Sequence, residues 1–379
     1  MSNLTQIRNR IRQWIETNSD QLSELRSVSQ GQLEDSIPKG LKLQKLLGDA
    51  GWIRAGWPES VGGLEGSILN RAVMYDELAQ AGIAIPQTME FVEIVGPMLV
   101  RYAPHIAAEE LPLVFKGERA WCQGFSEPGA GSDLAQLTTK AIPDGDGYRI
   151  TGQKIWTTYG HMAQRCGVLA RTGDKDSAHR GLTMFWVDMS LPGITVRTIQ
   201  AANGRNEFCE VFYDDVYVDK SRVIGEVDGG WGCAMFLLQF ERGIYAWMRQ
   251  ATLHKELNHA LKLCDAKDAK GWEEALGSAY MVLATLRARC WNTVQQLAKG
   301  IPVGPQASID KLLLGASETQ VMDVISNMLS DYFLLGDCIE AKSLRDGWFL
   351  SRAATIYGGA AEIQRQIIAD RLLILPRGK

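Results

Sequence analysis

The sequence lacks the features that mark membrane, secreted and metal-binding proteins. No apolar run reaches the roughly 18 residues that a membrane span requires, and the polar residues 1–12 have no signal-peptide core. The seven cysteines form no CxxC pair, and the five histidines form no HxxxH or HExxH pattern. These absences predict a cytoplasmic protein with reduced thiols, no metal site and no membrane segment.

Three further classes of protein are excluded on similar grounds. The net charge of −4 and the absence of any Lys/Arg block argue against a nucleic-acid binder. No GxGxxG fingerprint of a Rossmann domain is present, and no GxSxG elbow of a serine hydrolase. The 46% hydrophobic and 22% charged residues describe a globular chain with ample core.

The hydrophobic period changes twice along the chain. Apolar residues first recur at helical spacing, as in Ile7, Ile11 and Ile15. Helical spacing returns after Gly229. Between these regions lie short β-branched or alternating runs at 148–151, 165–169, 182–187, 194–196 and 210–213. A helix–sheet–helix order excludes alternating βαβ units. The sequence therefore predicts an α+β fold with an α-helical domain over 1–117, a β-domain over 118–227 and an α-helical bundle domain over 228–379.

Two neighbouring segments carry candidate binding chemistry. Residues 122–133 read CQGFSEPGAGSD, which predicts a turn rich in small residues and hydroxyl groups. Such a turn exposes backbone N–H groups that suit a diphosphate or a flavin edge. Residues 152–158, GQKIWTT, add an aromatic plane and two hydroxyl groups just after a predicted strand. Each segment alone is also compatible with an ordinary turn and an amphipathic strand.

Taken together, these segments resemble the flavin-binding middle region of the acyl-CoA dehydrogenase family. Further matching stretches are 57–63, 210–216, 225–231 and 356–365. The resemblance covers nearly the whole chain and implies an N-terminal helical domain, a central β-sheet or barrel domain and a C-terminal four-helix bundle. It also implies FAD as cofactor, α,β-dehydrogenation of an acyl-CoA thioester, and electron-transfer flavoprotein as the electron acceptor.

The family resemblance also identifies a candidate base. Many members place a catalytic Glu directly after the Tyr of the C-terminal motif, where this chain has Gly358. A minority, including long-chain and isovaleryl types, place it before an Arg on the first bundle helix, where this chain has Glu241 and Arg242. We expect Glu241 to remove the α-proton and Arg242 to position it and meet the substrate. The alternative is that Glu241 is an ordinary exposed helix carboxylate paired with an arginine.

The resemblance assigns the cofactor contacts residue by residue. Trp156 would cover one face of the flavin ring, Thr158 would hydrogen-bond near N5, and Ser132 would also meet the substrate. The two C-terminal glycines would let the backbone approach the cofactor closely. The full set implied for FAD is Phe125, Ser126, Gly131, Ser132, Trp156, Thr157, Thr158, Gly358, Gly359 and Glu362.

Two departures from the family pattern bear on the oligomeric state. The Arg-x-x-Phe-Gly element that reaches a neighbouring subunit's flavin is missing, and the corresponding region, 265–272, reads DAKDAKGW. The usual Thr after the C-terminal glycines is Ala360. Residues 304–308 and 348–353 are similar to a bacterial branch of α2β2 heterotetramers that act on bulky, ring-bearing acyl groups. The expected assembly is therefore a homo-oligomer or an α2β2 heterotetramer with a paralogous chain.

Other functions stay open within the same fold. The protein could be an acyl-CoA oxidase or a flavin monooxygenase that uses O₂, or a non-catalytic partner subunit that completes another chain's site. Glu241 counts against a monooxygenase and against a non-catalytic subunit. The sequence leaves the acyl group and the electron acceptor undetermined.

Overall fold

The computed structural model describes residues 3–23, 25, 33–85, 87–264 and 270–376. Residues 265–269, where the family's Arg-x-x-Phe-Gly element is missing, lie outside the described residues. Within the described part of the chain, no helix combines the length and apolar character needed to cross a membrane.

The N-terminal region is helical. Its helices are α1 (Asn3–Thr17), α2 (Ser19–Ser23), α3 (Leu33–Asp49), α4 (Ile68–Gln80), α5 (Gln87–Tyr102) and α6 (Pro104–Phe115). Ile7, Ile11 and Ile15 recur every fourth residue on α1 and are buried on one face. Ser67 caps α4 by accepting a hydrogen bond from the backbone N–H of Leu69 at 3.2 Å.

The central region is one eight-stranded sheet. Its strands are β1 (Trp121–Gly124), β2 (Lys140–Asp144), β3 (Gly147–Thr158), β4 (Arg165–Arg171), β5 (Leu182–Asp188), β6 (Ile194–Ile199), β7 (Phe208–Asp219) and β8 (Val223–Ile224). All five strands predicted from the sequence are present, as β3 to β7. The prediction that 122–133 is a single turn was wrong, because this segment begins inside β1, where Cys122 is buried against β4.

The strands are ordered β6-β7-β3-β2-β4-β5-β8, and β1 pairs with β4. The pairs β1–β4 and β2–β4 are parallel, and the others are antiparallel. Side chains on one face, including Leu169 and Trp186, join the core of the N-terminal helices. Those on the other face, including Val168 and Val211, form a separate core. The alternation of the two sets follows from the two-residue period of a strand.

Helices resume after the sheet as α7 (Gly230–Arg242), α8 (Ile244–Leu263), α9 (Glu273–Ala298), α10 (Ala307–Met328), α11 (Ser330–Leu335), α12 (Ile339–Ala353) and α13 (Ala361–Arg371). Leu283, Leu314 and Val321 are among the residues of their own core. Leu237 of α7 instead joins the N-terminal core. The predicted α+β fold class is therefore confirmed, whereas the boundaries at 117/118 and 227/228 stay predictions.

Candidate active site

A cavity of about 650 Å³ lies where the three regions of the chain meet. Its walls come from α5, the loop after β1, the end of β3, the junction of α7 with α8, and residues 356–360. Nine of the predicted site residues line it, namely Phe125, Ser126, Gly131, Ser132, Trp156, Thr158, Glu241, Gly358 and Gly359. Residues more than 200 positions apart in sequence thus share one site.

Trp156 projects from an irregular position in β3. The register between β3 and β7 shifts between Lys154 and Thr157, so the strand bulges there. Trp156 itself has a φ of +61°, which is an uncommon and costly conformation for a bulky side chain. Trp156 remains 57% exposed, and its ring meets that of Phe208 edge-on, at 6.1 Å between ring centroids. The bulge therefore presents an aromatic plane to the cavity instead of packing it in the core.

The loop after β1 is fixed in place by a buried ion pair. Lys154 Nζ donates to Glu127 Oε1 at 2.8 Å and to the carbonyl oxygen of Phe125 at 3.0 Å. The backbone N–H groups of Thr138 and Thr139 also donate to the Glu127 carboxylate, at 2.7 and 2.8 Å. Burial raises the pKa of Glu127, but the Lys154 ammonium and these hydrogen bonds outweigh it and lower the pKa to about 2. Glu127 therefore holds the loop after β1 in place, and its carboxylate is fully engaged by protein groups.

Glu241 directs its carboxylate at the backbone of Gly358. A Cβ at Gly358 would lie 2.7 Å from Glu241 Oε1 and 3.2 Å from Lys311 Cε. Glu241 Oε2 and Arg242 Nε both lack a hydrogen-bond partner among the described residues, so these two atoms do not pair with each other. Glu241 is therefore not an exposed helix carboxylate held by an arginine. It is a partly buried carboxylate with one oxygen that accepts no hydrogen bond from the described residues.

Two cations act on Glu241, namely Arg242 from the same helix and Lys311 from α10. Burial raises the pKa of Glu241, while the charges of Arg242 and Lys311 lower it, and the net shift is upward. Lys311 lies 4.4 Å from the ring centroid of Tyr357 and donates to the carbonyl oxygen of Ala354. Burial lowers the pKa of Lys311 to about 8. Burial thus increases the proton affinity of Glu241, and the positive charges of Arg242 and Lys311 limit that increase.

Three predicted site residues do not line the cavity. Arg242 is half-buried, with Nη2 3.5 Å from the position of a Cβ at Gly359, and its Nε has no partner among the described residues. Thr157 is fully buried, and its Oγ1 has no hydrogen-bond partner among the described residues. Glu362 is exposed and pairs with Arg365 at 3.3 Å. Their proposed roles stay predictions.

Gln364 was missed by sequence reasoning although it lies in the C-terminal motif. It is fully buried, and neither its amide oxygen nor its amide nitrogen has a hydrogen-bond partner among the described residues. A Cβ at Gly359, which has a φ of +102°, would collide with its Nε2. Glu362 and Gln364 both belong to the motif, and the sequence does not show which of them is buried. The orientation of α13 places Gln364 inside and Glu362 outside.

A second group of charged residues at the cavity was also missed. Glu90, Glu207 and Arg249 all line it, and each comes from a different element. Arg249 Nε donates to the buried Glu318 at 2.7 Å. No sequence signal joins these residues, because each is a single charged position in an unremarkable stretch of chain.

Family models match the chain in three consecutive parts. Residues 2–118 match the N-terminal domain of acyl-CoA dehydrogenases, residues 122–216 the middle domain and residues 228–373 the C-terminal domain. Acyl-CoA dehydrogenase IpdE1 of Mycobacterium tuberculosis is 33% identical over 383 residues, which cover 100% of this chain and 99% of the relative.

Solved structures agree with this assignment. The Tcur3481-Tcur3483 steroid ACAD superposes with a TM-score of 0.86 at 26% identity, over 99% of this chain and 98% of that one. The ChsE4-ChsE5 complex from Mycobacterium tuberculosis gives a TM-score of 0.81 at 25% identity, over 100% of this chain and 99% of that one. The sequence, the fold and the cavity thus agree over the full length, and the chain belongs to the acyl-CoA dehydrogenase family, a family of oxidoreductases that act on acyl-CoA.

Proposed function

We propose that this acyl-CoA dehydrogenase uses Glu241 to remove the α-proton of a CoA thioester, with FAD as its cofactor. The observation that carries the proposal is the partly buried Glu241 carboxylate, which faces the cavity across Gly358 with one oxygen unpartnered among the described residues. FAD, when bound, supplies the acceptor for the β-hydride. The remaining chemistry belongs to side chains of this protein.

The residues around the cavity fit a flavin. Trp156 offers an exposed aromatic plane, and Ser126, Ser132 and Thr158 add hydroxyl groups beside it. The amide of Gln364 is buried without a hydrogen-bond partner among the described residues, next to Gly359, which has no side chain to block a close approach. Buried polar groups are costly without partners. A bound group rich in donors and acceptors would satisfy them.

Glu241 suits the role of base because of its surroundings. In its ionised form the carboxylate accepts the α-proton, and burial increases its affinity for that proton. An acyl chain in the cavity would exclude water and increase this affinity further. Arg242 acts as a positioning residue, since it does not line the cavity and limits the shift through its charge.

The names of similar proteins favour a bulky substrate and a second chain. A steroid ACAD and a complex of two differently named chains are among the solved structures that match. We therefore propose a ring-bearing acyl group and assembly with a paralogous chain, with a homo-oligomer as the alternative. Electron-transfer flavoprotein is the proposed acceptor, and a fast reaction of the reduced enzyme with O₂ would instead identify an oxidase.

The decisive experiment is anaerobic reduction of the flavin by ring-bearing acyl-CoA thioesters, with wild type and Glu241→Gln. A general base contributes roughly 10²–10⁴-fold, and we expect a loss of that size in the rate while flavin content is retained. Glu274→Gln, at an exposed position on α9, is the matched control. A Glu241→Gln enzyme within tenfold of wild type would contradict the assignment and favour a partner-subunit role.

The ratio of FAD to chain, measured on protein purified alone and with the paralogous chain, tests the assembly. A ratio near one for the chain alone supports a self-sufficient homo-oligomer. A ratio near zero that rises on co-expression supports the heteromer.

A further inference from the structure

Glu90 lines the same cavity as Glu241 but has no role in the proposed reaction. It lies in the first turn of α5 and lines the cavity beside Ile85, Phe91 and Ile94. Among the described residues, no hydrogen-bond donor contacts its carboxyl group. Carboxyl groups in an apolar wall are costly unless something hydrogen-bonds to them. Glu90 is half-buried, so water can solvate it in the open cavity, and a ligand that displaces this water must supply a hydrogen bond in its place.

Different charged residues act directly on Glu90 and on Glu241. The pKa of Glu241 responds to Arg242 and Lys311, and that of Glu90 to Arg249, Glu207 and Glu318. Burial raises the pKa of Glu90 to about 7, and the two other glutamates raise it while Arg249 lowers it. The start of a helix favours an ionised carboxylate, but burial dominates here. Near neutral pH both forms of Glu90 are present, so it can donate or accept a hydrogen bond.

The other charged groups that face Glu90 are already engaged. Arg249 pairs with Glu318 at 2.7 Å. Glu207 Oε1 accepts a hydrogen bond from the hydroxyl group of Tyr159 at 3.1 Å. Lys255, which also lines the cavity, lies 3.0 Å from Glu256. With Arg249 paired to Glu318, Glu207 adds a second carboxylate that acts on Glu90.

We propose that Glu90 recognises an uncharged oxygen substituent, a hydroxyl or a ketone, on the ring portion of the acyl group. The inference rests on the proposed function and specifies its substrate class. A plain hydrocarbon would leave the carboxyl group dehydrated and unpaired. A carboxylate would be repelled by Glu90 and Glu207, because the charge of Arg249 is already paired with that of Glu318. A neutral oxygen both hydrogen-bonds to Glu90 and avoids that repulsion.

The test compares cyclohexylpropanoyl-CoA with derivatives that carry a hydroxyl, keto or carboxylate group on the ring. Flavin-loaded enzyme, in the assembly that retains FAD, is assayed for kcat/KM with each. We expect wild type to prefer the hydroxyl or keto derivative over the unsubstituted ring by about tenfold or more, since sites built for a substrate oxygen reject analogues that lack it. The carboxylate derivative should be the poorest of the four.

Two variants assign the preference to Glu90. Glu90→Leu should bring the ratio of kcat/KM values for the oxygenated and plain rings to about one, while Glu90→Gln, which keeps hydrogen-bonding groups, should retain part of it. Equal use of all rings by wild type, or a preference that persists in Glu90→Leu, would overturn the inference and leave the proposed function standing. No Glu241-dependent flavin reduction with any of the four would overturn both.

Discussion

Glu241 Oε1 and the backbone of Gly358 are so close that a side chain at 358 would share the carboxylate's space, with only 2.7 Å between Oε1 and a Cβ. Gly358 also has a φ of +62°, a conformation that side chains rarely adopt. The two residues therefore depend on each other: a carboxylate from α7 can occupy this position only while residue 358 has no side chain. Glycine here is a structural condition for the base that we propose.

Replacement of Gly358 by alanine should damage the site locally. The Cβ would displace the Glu241 carboxylate, and the left-handed backbone would cost roughly 1–2 kcal/mol of folding stability. We expect kcat/KM to fall about tenfold or more, with a smaller effect on FAD content. Gly277→Ala is the control, since a Cβ there meets nothing within 4 Å and helix interiors favour alanine. Unchanged kinetics in Gly358→Ala would show that Glu241 does not act from this position.

The acid limb of the pH–rate profile should respond to Lys311. Glu241 must be ionised to accept a proton, so kcat/KM falls as the pH decreases through its pKa. The Lys311 ammonium lowers that pKa, and its removal in Lys311→Met raises the pKa. We therefore expect the acid limb of kcat/KM to move to higher pH in Lys311→Met. It should stay near its wild-type position in Lys311→Arg. A limb that moves to lower pH would rule out Glu241 as the group that titrates.

The Glu127–Lys154 pair should be a strong determinant of stability. Both side chains are almost fully buried. Breaking a buried pair on one side costs about 3–5 kcal/mol, and we expect this loss in urea unfolding of Lys154→Met at neutral pH. The double variant Glu127→Gln with Lys154→Met should lose less than the sum of the single variants, because each single variant leaves a group unpaired.

The same pair predicts a pH dependence of unfolding. The folded-state pKa of Glu127 is depressed to about 2, below the roughly 4.3 of an unfolded glutamate. Its contribution is therefore fully present above about pH 4.3 and is lost as the pH falls toward 2. Urea unfolding of wild type and Glu127→Gln across this range should show a steeper loss for wild type. Parallel curves would mean that Glu127 contributes no linkage.

The sequence predicted the parts of the molecule that depend on local pattern. Alternating or β-branched runs predicted β3 to β7. Glycine at position 358 and glutamate at position 241, compared with the family pattern, predicted the candidate base. What it missed depends on winding and on long-range contact. The inward face of α13 buries Gln364 and leaves Glu362 exposed, and the charge of Arg249 acts on Glu90 across 159 positions of the chain. Neither relationship leaves a periodic or motif-like signal.

Lys154 and Glu127 also affect how tightly a cofactor would bind. They join the strand that carries Trp156 to the loop that carries Ser126 and Ser132, through bonds made entirely within the protein. The conformational entropy of ordering these two walls is therefore lost when the chain folds and not when a ligand arrives. The cleft is preorganised, and more of the interaction energy of a bound group remains available as affinity.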